Sequence, residues 1–220
     1  MLITSVNKRY PEENNRQTDS GKCVFDICID NKFTFSIPEE VYFKLNLYEK
    51  SEITEKELEV IKKTSDVITA RTKALAYLSF KMRTAKEVEY KLAKDGFDPY
   101  VISEVIKELK EDGYINDRLY VKRYIKDRMK LKPKSKNMLM FELKNKGIDE
   151  GVIEEELKNF EVDNVSLAKD LLLRKFKKAD FSDMKIKQKA YSFLKYRGFT
   201  HSEIIDAINQ ITNGHEDEMP

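Results

Sequence analysis

Between Asp117 and Lys136 the chain reads DRLYVKRYIKDRMKLKPKSK, with nine Lys or Arg against two Asp in twenty residues. A net +7 over that length suits a phosphate- or carboxylate-bearing partner, because anion binding depends on local cation density and not on overall pI. Other cations recur at fixed spacing around the cluster. Arg83, Lys134 and Lys185 stand 51 residues apart, as do Lys146 and Arg197. The candidate binding residues are therefore Arg83, Arg123, Arg128, Lys132, Lys134, Lys136, Lys146, Lys185 and Arg197. Cations of this kind steer and position a partner; they do not read base sequence. A single surface lysine usually only solvates its helix, so the reading rests on the cluster and not on its members. Tyr114, Tyr120, Tyr124, Phe141, Tyr191, Phe193, Tyr196 and Phe199 interleave with the charge and have ring faces suited to stacking bases, but helical spacing assigns most of them to the core.

Other chemistry is scarce. The sequence has no GxxxxGKS/T phosphate loop, no GxGxxG, no GxSxG and no HExxH, and only His201 and His215 to serve as imidazole bases. Its carboxylates fall on helix-like stretches, where they ordinarily form a solvated face. No catalytic residue, no enzyme activity and no cofactor are expected. Cys23 and Cys28 are five apart in an apolar run; on a strand they point to opposite faces and cannot bridge each other. With both histidines distant in sequence, the pair reads as reduced filler and no metal site is predicted.

Several elements must position these residues. From Met1 to Ile37 the runs LITSV, KCVFDICID and KFTFSI alternate like strands, separated by the polar run Pro11 to Gly21 and by Asp30-Asn31. Pro38 opens a helix-compatible stretch, and a long helix is predicted to start near Thr54, which has capping-box spacing to Glu57. Beyond residue 70 an internal repeat dominates. Leu92-x3-Gly96-Phe97-x4-Ile102 recurs as Leu143-x3-Gly147-Ile148-x4-Ile153 and as Leu194-x3-Gly198-Phe199-x4-Ile204, 51 residues apart each time.

Each copy reads as a helix end followed by a new helix. The glycine adopts the left-handed conformation just past the helix, and the leucine four residues earlier touches the apolar residue after it. An N-cap candidate follows: Asp98 before Pro99, Asp149, or Thr200 with Glu203. The preceding helix also begins at a cap candidate, Thr84 with Glu87, Ser135 or Asp183, and a further helix lies upstream (to Phe80, 117–130, 165–178). Three helices per unit and a 51-residue period fit neither tetratricopeptide, ankyrin nor HEAT repeats. The leucines and glycines of the register hold the architecture and carry no chemistry.

The expected fold is mostly α. Three tandem three-helix, helix-turn-helix-like repeats form an elongated curved array behind a small strand-rich N-terminal segment. The boundaries expected are 1–53 for the β-rich segment, 54–113 for a linker helix and repeat 1, 114–162 for repeat 2, 163–213 for repeat 3 and 214–220 for an acidic tail. Composition agrees, since charged residues make up 36% and Gly plus Pro only 12 of 220. Residues 1–68 hold 10 basic and 13 acidic side chains, whereas residues 69–213 hold 31 and 23, so the helical part is the basic part. Neither a signal-like terminus nor an apolar run of spanning length is apparent, so a cytoplasmic protein without membrane association is expected.

The segments ALAYLSFKMRTAKEVEYKLAKDGF, VIKELKEDGYINDRLYVKRYIKDR, FELKNKGIDEGVIEEEL and KAYSFLKYRGFTHSEI carry a further signal. Over about Ala70 to Ile211, with the GYIND corner and then the LKNKGI and LKYRGF corners in order, the chain resembles the RecX family of recombinase regulators. The resemblance implies three tandem three-helix repeats that bind the RecA recombinase, lie in the groove of its filament on single-stranded DNA, and suppress strand exchange, filament growth and ATP hydrolysis. It departs from the family pattern in two places. The strand-rich extension belongs only to some members, and LKPKSK stands where many members carry a glycine with an arginine. On this reading a concave side bearing the nine cations meets the acidic recombinase surface, the filament DNA phosphates, or both, with weak direct DNA binding and a monomeric state. The alternatives are a stand-alone helical nucleic-acid binder, expected to show sequence-selective binding to bare duplex, and a protein scaffold, expected to bind through apolar patches without salt dependence.

Overall fold

The structure, a computed structural model, describes residues 1–10, 23–160, 163–177 and 179–216. The polar run Pro11 to Gly21, the imidazole of His215 and the acidic residues Asp217 and Glu218 lie outside the described residues. The chain divides into two compact units, Met1–Ile115 and Asn116–Pro220.

The first unit begins with strands β1 (Ile3–Arg9), β2 (Val24–Ile29) and β3 (Lys32–Pro38), which pair antiparallel in that order. Asp30 and Asn31 form the two-residue link between β2 and β3, and both have positive φ, 48° and 63°. That is the geometry in which a tight turn matches the strand twist, and Asn and Asp tolerate it better than most residues. Alternation along β2 buries Phe25, Ile27 and Ile29 on one face, and Ile37 joins them from β3. Cys23 and Cys28 are free thiols. The short helix α1 (Glu39–Lys44) follows Pro38 and brings Val41 onto the same core.

Helix α2 (Glu55–Ser79) is one 25-residue element serving two cores. Its first turn is fixed by the expected capping box: the Thr54 side chain accepts from the Glu57 backbone N–H, and the Glu57 carboxylate accepts from the Thr54 N–H at 2.8 Å. Ile61 and Ile68 pack into the sheet core. Ala70 and Ala74, both fully buried, belong instead to the core shared with α3 (Ala85–Lys94) and α4 (Pro99–Glu111). The linker helix is thus also the first helix of the first repeat.

The second unit holds α5 (Asp117–Leu131), α6 (Lys136–Lys144) and α7 (Glu150–Lys158), then α8 (Asn164–Lys175), α9 (Met184–Lys195) and α10 (His201–Glu216). In all three repeats the third helix packs on the first and second. Each repeat has its own apolar core, centred on Leu92, Leu143 or Leu194, none of which is exposed.

The glycine corners close as the repeat predicts. Gly96, Gly147 and Gly198 have φ of 88°, 74° and 84°. In each corner the residue after the glycine donates its N–H to the carbonyl of the register leucine: Phe97 to Leu92 at 3.2 Å, Ile148 to Leu143 at 3.4 Å and Phe199 to Leu194 at 3.3 Å. These bonds satisfy carbonyls that a helix end otherwise leaves open. Asp98, Asp149 and Thr200 then cap the next helix, while Thr84, Ser135 and Asp183 cap the preceding one. One end differs from expectation. Helix α8 stops at Lys175 and not near residue 178, because Phe176 leaves the helical region and sets its ring edge-on to Phe181 and Phe193, at 6.2 and 5.8 Å.

Candidate functional site

Asn116 starts α5 by accepting from the Leu119 N–H at 2.8 Å, and the 3.6-residue period then sorts the basic cluster by face. Val121 and Ile125 go into the core with half-buried Tyr124, while Lys122, Arg123, Lys126 and Lys130 are exposed. Two of the cations that flank this face are already engaged. Arg118 donates to Glu155 at 2.5 and 2.7 Å and to Glu156 at 3.3 Å, and Lys122 lies 3.7 Å from Glu156. Glu156 is a carboxylate only 3% exposed, so these two cations serve α7 first.

The segment 132–136 is held from both sides. On one side Glu142 of α6 accepts from the Tyr124 hydroxyl at 2.7 Å and from the Lys134 ammonium, with Arg128 Nε 3.6 Å from its second oxygen. Lys134 and Glu142 are each 20% exposed. Burial pushes the Glu142 carboxyl upward, yet Lys134 and the Tyr124 hydroxyl outweigh it and hold the group below the usual carboxylate range. On the other side Ser135, fully buried, ties the second repeat to the third. Its N–H donates to the Arg197 carbonyl at 3.1 Å and its hydroxyl donates to the Gly198 carbonyl at 2.6 Å, while its oxygen accepts from the Met138 N–H. Asn164 completes the joint by accepting from the Lys136 N–H at 3.3 Å and donating to Glu203 at 2.7 Å.

The joint places the basic segment of the second repeat against the corner of the third. The Arg197 guanidinium lies over Phe193, 3.8 Å from the ring centroid, with Nη1 3.4 Å from the Phe193 carbonyl. Its Nε is buried and has no hydrogen-bond partner among the described residues, and burial pushes the guanidinium down from its ordinary value. Tyr196 beside it is 81% exposed. Lys132 and Lys185 are exposed, as is Arg123, and none of the three has an ion pair among the described residues; Lys136 is half-buried, and adds a small attraction to the Asp163 carboxyl, which hydrogen bonds from the Ser166 N–H and side chain chiefly hold low. Lys146 sits over the Tyr120 ring at 5.6 Å. In the first unit Arg83 stacks over Tyr77 at 4.2 Å, also with a buried Nε. The three residues of one register, Arg83, Lys134 and Lys185, thus occupy three environments: stacked, ion-paired and free.

Residues 70–109, 116–157 and 161–208 match, in order, the models of the first, second and third RecX three-helix domains. Regulatory protein RecX of Bacillus subtilis is 32% identical over 198 residues, 88% of this chain and 74% of its own length. The Bacillus licheniformis protein of the same name is 34% identical over 97% of this chain and 79% of its own. The chain belongs to the RecX family. Among solved structures, a regulatory protein RecX covers 95% of this chain and 98% of its own with a TM-score of 0.68 at 23% identity, a likeness of fold. RecX from Lactobacillus salivarius covers 68% of this chain and 98% of its own with a TM-score of 0.57 at 29% identity.

Within this RecX-family fold, sequence reasoning located the cations but missed the carboxylates that restrain them. Glu142 and Glu156 meet cations 8 to 38 positions away, and no local spacing signals such a pair. The aromatics also divide more evenly than expected. Phe199 is core, Tyr120, Tyr124, Tyr191 and Phe193 are half-buried, and Tyr114, Phe141 and Tyr196 are exposed.

Proposed function

We propose that this chain is a non-enzymatic regulator of the RecA recombinase. It binds the RecA filament on single-stranded DNA as a monomer in the cytoplasm and limits strand exchange, filament extension and ATP hydrolysis. The observation that carries the reading is the ordered set of three RecX domains, with the basic segment of the second seated against the corner of the third. Arg123, Lys132, Lys136 and Arg197 supply cations around that seat, matched to the phosphates or carboxylates of a nucleoprotein surface. Arg128, Lys134, Lys146 and Lys185 belong to the proposed basic surface of the second unit, with Lys134 and Arg128 acting chiefly by holding the segment in place, and Arg83 is proposed as a further binding cation carried by the first unit.

ATP hydrolysis by the cognate recombinase on single-stranded DNA, with this protein titrated onto preformed filaments, tests the reading. Inhibition below one protein per recombinase, without sequestration of free DNA, is expected. No inhibition at any ratio, together with saturable binding to bare duplex, would replace the regulator by a stand-alone nucleic-acid binder. Replacing Arg123, Lys132 and Lys136 by Ala should weaken inhibition and flatten its salt dependence, by roughly one unit of log–log slope for each phosphate left without its cation.

A further inference from the structure

Helix α10 is flanked by two surface grooves of opposite character, both within the third repeat. The one against α8 has polar walls that include Asp163, Asp206, Asn213 and a single lysine, Lys169. The one against α9 is a cleft of about 560 Å³ lined by Met184, Tyr191, Ile205 and Ile208 together with Gln188, Asn209, Lys185 and Lys187, with no carboxylate among the described residues of its lining. Met184 is 74% exposed and Ile205 38%, an unusual placement for a thioether and a branched aliphatic chain on adjoining helices. Asp183, the residue before α9, is occupied in capping that helix at the Lys185 N–H. Helix α9 itself carries Lys185, Lys187, Lys189 and Lys195 and no acid.

We infer that the α9–α10 groove is a protein-docking site for an amphipathic helical segment presenting apolar anchors flanked by carboxylates. Its volume lies in the range of ligand pockets, roughly 300–1,000 Å³. A cleft between two helices accepts a third through apolar residues spaced three and four apart. Methionine in the lining is an adaptable contact, since its unbranched thioether repacks at little cost. The lysines of the lining select against basic segments and for acidic ones. Nucleic acid fits poorly: the apolar lining offers two isoleucines and a methionine against a single described aromatic ring, Tyr191, which is held by its hydroxyl 3.2 Å from His201 Nδ1. The docking site is separate from the cationic seat formed by the 132–136 segment and Arg197, and gives the third repeat a means of binding that does not depend on phosphate.

The inference rests on the recombinase reading for its partner, and the experiment separates the two. Full-length protein carrying Met184→Glu and Ile205→Glu is titrated onto cognate filaments in the ATP-hydrolysis assay at low and raised salt, after a melting curve confirms that it is folded. At least a tenfold rise in the half-inhibitory concentration at both salts is expected, with binding to free single-stranded DNA unchanged. In parallel, a benzophenone amino acid replacing Met184 alone is irradiated on the filament, and its cross-link should map to an acidic, apolar-anchored segment of the recombinase. Undiminished inhibition by the double variant, or a cross-link to DNA, would overturn the groove and leave the regulator reading standing. Loss of inhibition by the wild-type protein itself would remove that reading and, with it, this partner.

Discussion

The corner of the first repeat and the corner of the third are nearly the same sentence in sequence, Leu92-x3-Gly96-Phe97 and Leu194-x3-Gly198-Phe199, and they close with the same hydrogen bonds at φ of 88° and 84°. Their surroundings differ. A Cβ added at Gly96 meets no atom of the described residues within 4 Å, whereas one at Gly198 would lie 2.6 Å from Met138 Cβ and 2.9 Å from Ser135 Oγ. One glycine answers only to its backbone, while the other also admits a neighbouring repeat. The motif that builds each repeat therefore does not by itself encode how repeats join; Ser135, Met138 and Asn164 add that in the second unit.

Alanine at the two corners should separate these roles. Gly96→Ala carries left-handed strain alone, about 1–2 kcal/mol. Gly198→Ala adds the overpacking of a side chain forced into Met138, typically a further ~1–3 kcal/mol. Urea denaturation with a probe in each unit measures both. Equal losses at the two positions would mean that the joint yields freely and does not fix the seat between the 132–136 segment and Arg197.

Much of the fold was legible because its signals are local. Capping boxes, the leucine-to-glycine corners and the alternation of β2 each depend on residues within four or five positions, and the structure shows them where the spacing puts them. The site was legible only as composition. Nine cations in twenty residues mark out the candidate region, but which of them are engaged depends on Glu142 and Glu156, brought in by tertiary packing from other helices. The end of α8 was misplaced for a related reason, since Phe176 is recruited by rings that lie beyond the helix in sequence.

Lys132 and Lys134 sharpen the same contrast at the scale of two residues. Lys134→Ala leaves the largely buried Glu142 with only Tyr124 and the more distant Arg128, and should destabilise the second unit by about 1–3 kcal/mol, the cost of stranding a buried acceptor. Lys132 is exposed without an ion pair among the described residues, so Lys132→Ala should leave the melting temperature within error and instead lower the salt slope of filament binding by about one. A binding defect of equal salt slope in both variants would show that Lys134 also reaches the partner.

The smallest expected effect lies at the first capping box. Thr54 and Glu57 exchange hydrogen bonds there, and Glu57 also accepts from Lys50 Nζ at 2.5 Å. The Lys50 hydrogen bond, followed by those from Thr54, lowers the Glu57 carboxyl from 4.5 to about 2. A carboxyl held low in the folded state binds fewer protons there than in the unfolded chain, so its stabilisation is complete above pH 4.5 and fades as pH falls through about 2. The group is solvent-exposed, and salt should shrink the effect further. Melting curves recorded from pH 7 to pH 2 at low ionic strength should therefore converge for the wild type and Glu57→Gln at the acid end, the wild type being the more stable at neutral pH. Curves that stay parallel through that window would assign the acid sensitivity of the first unit to other carboxylates.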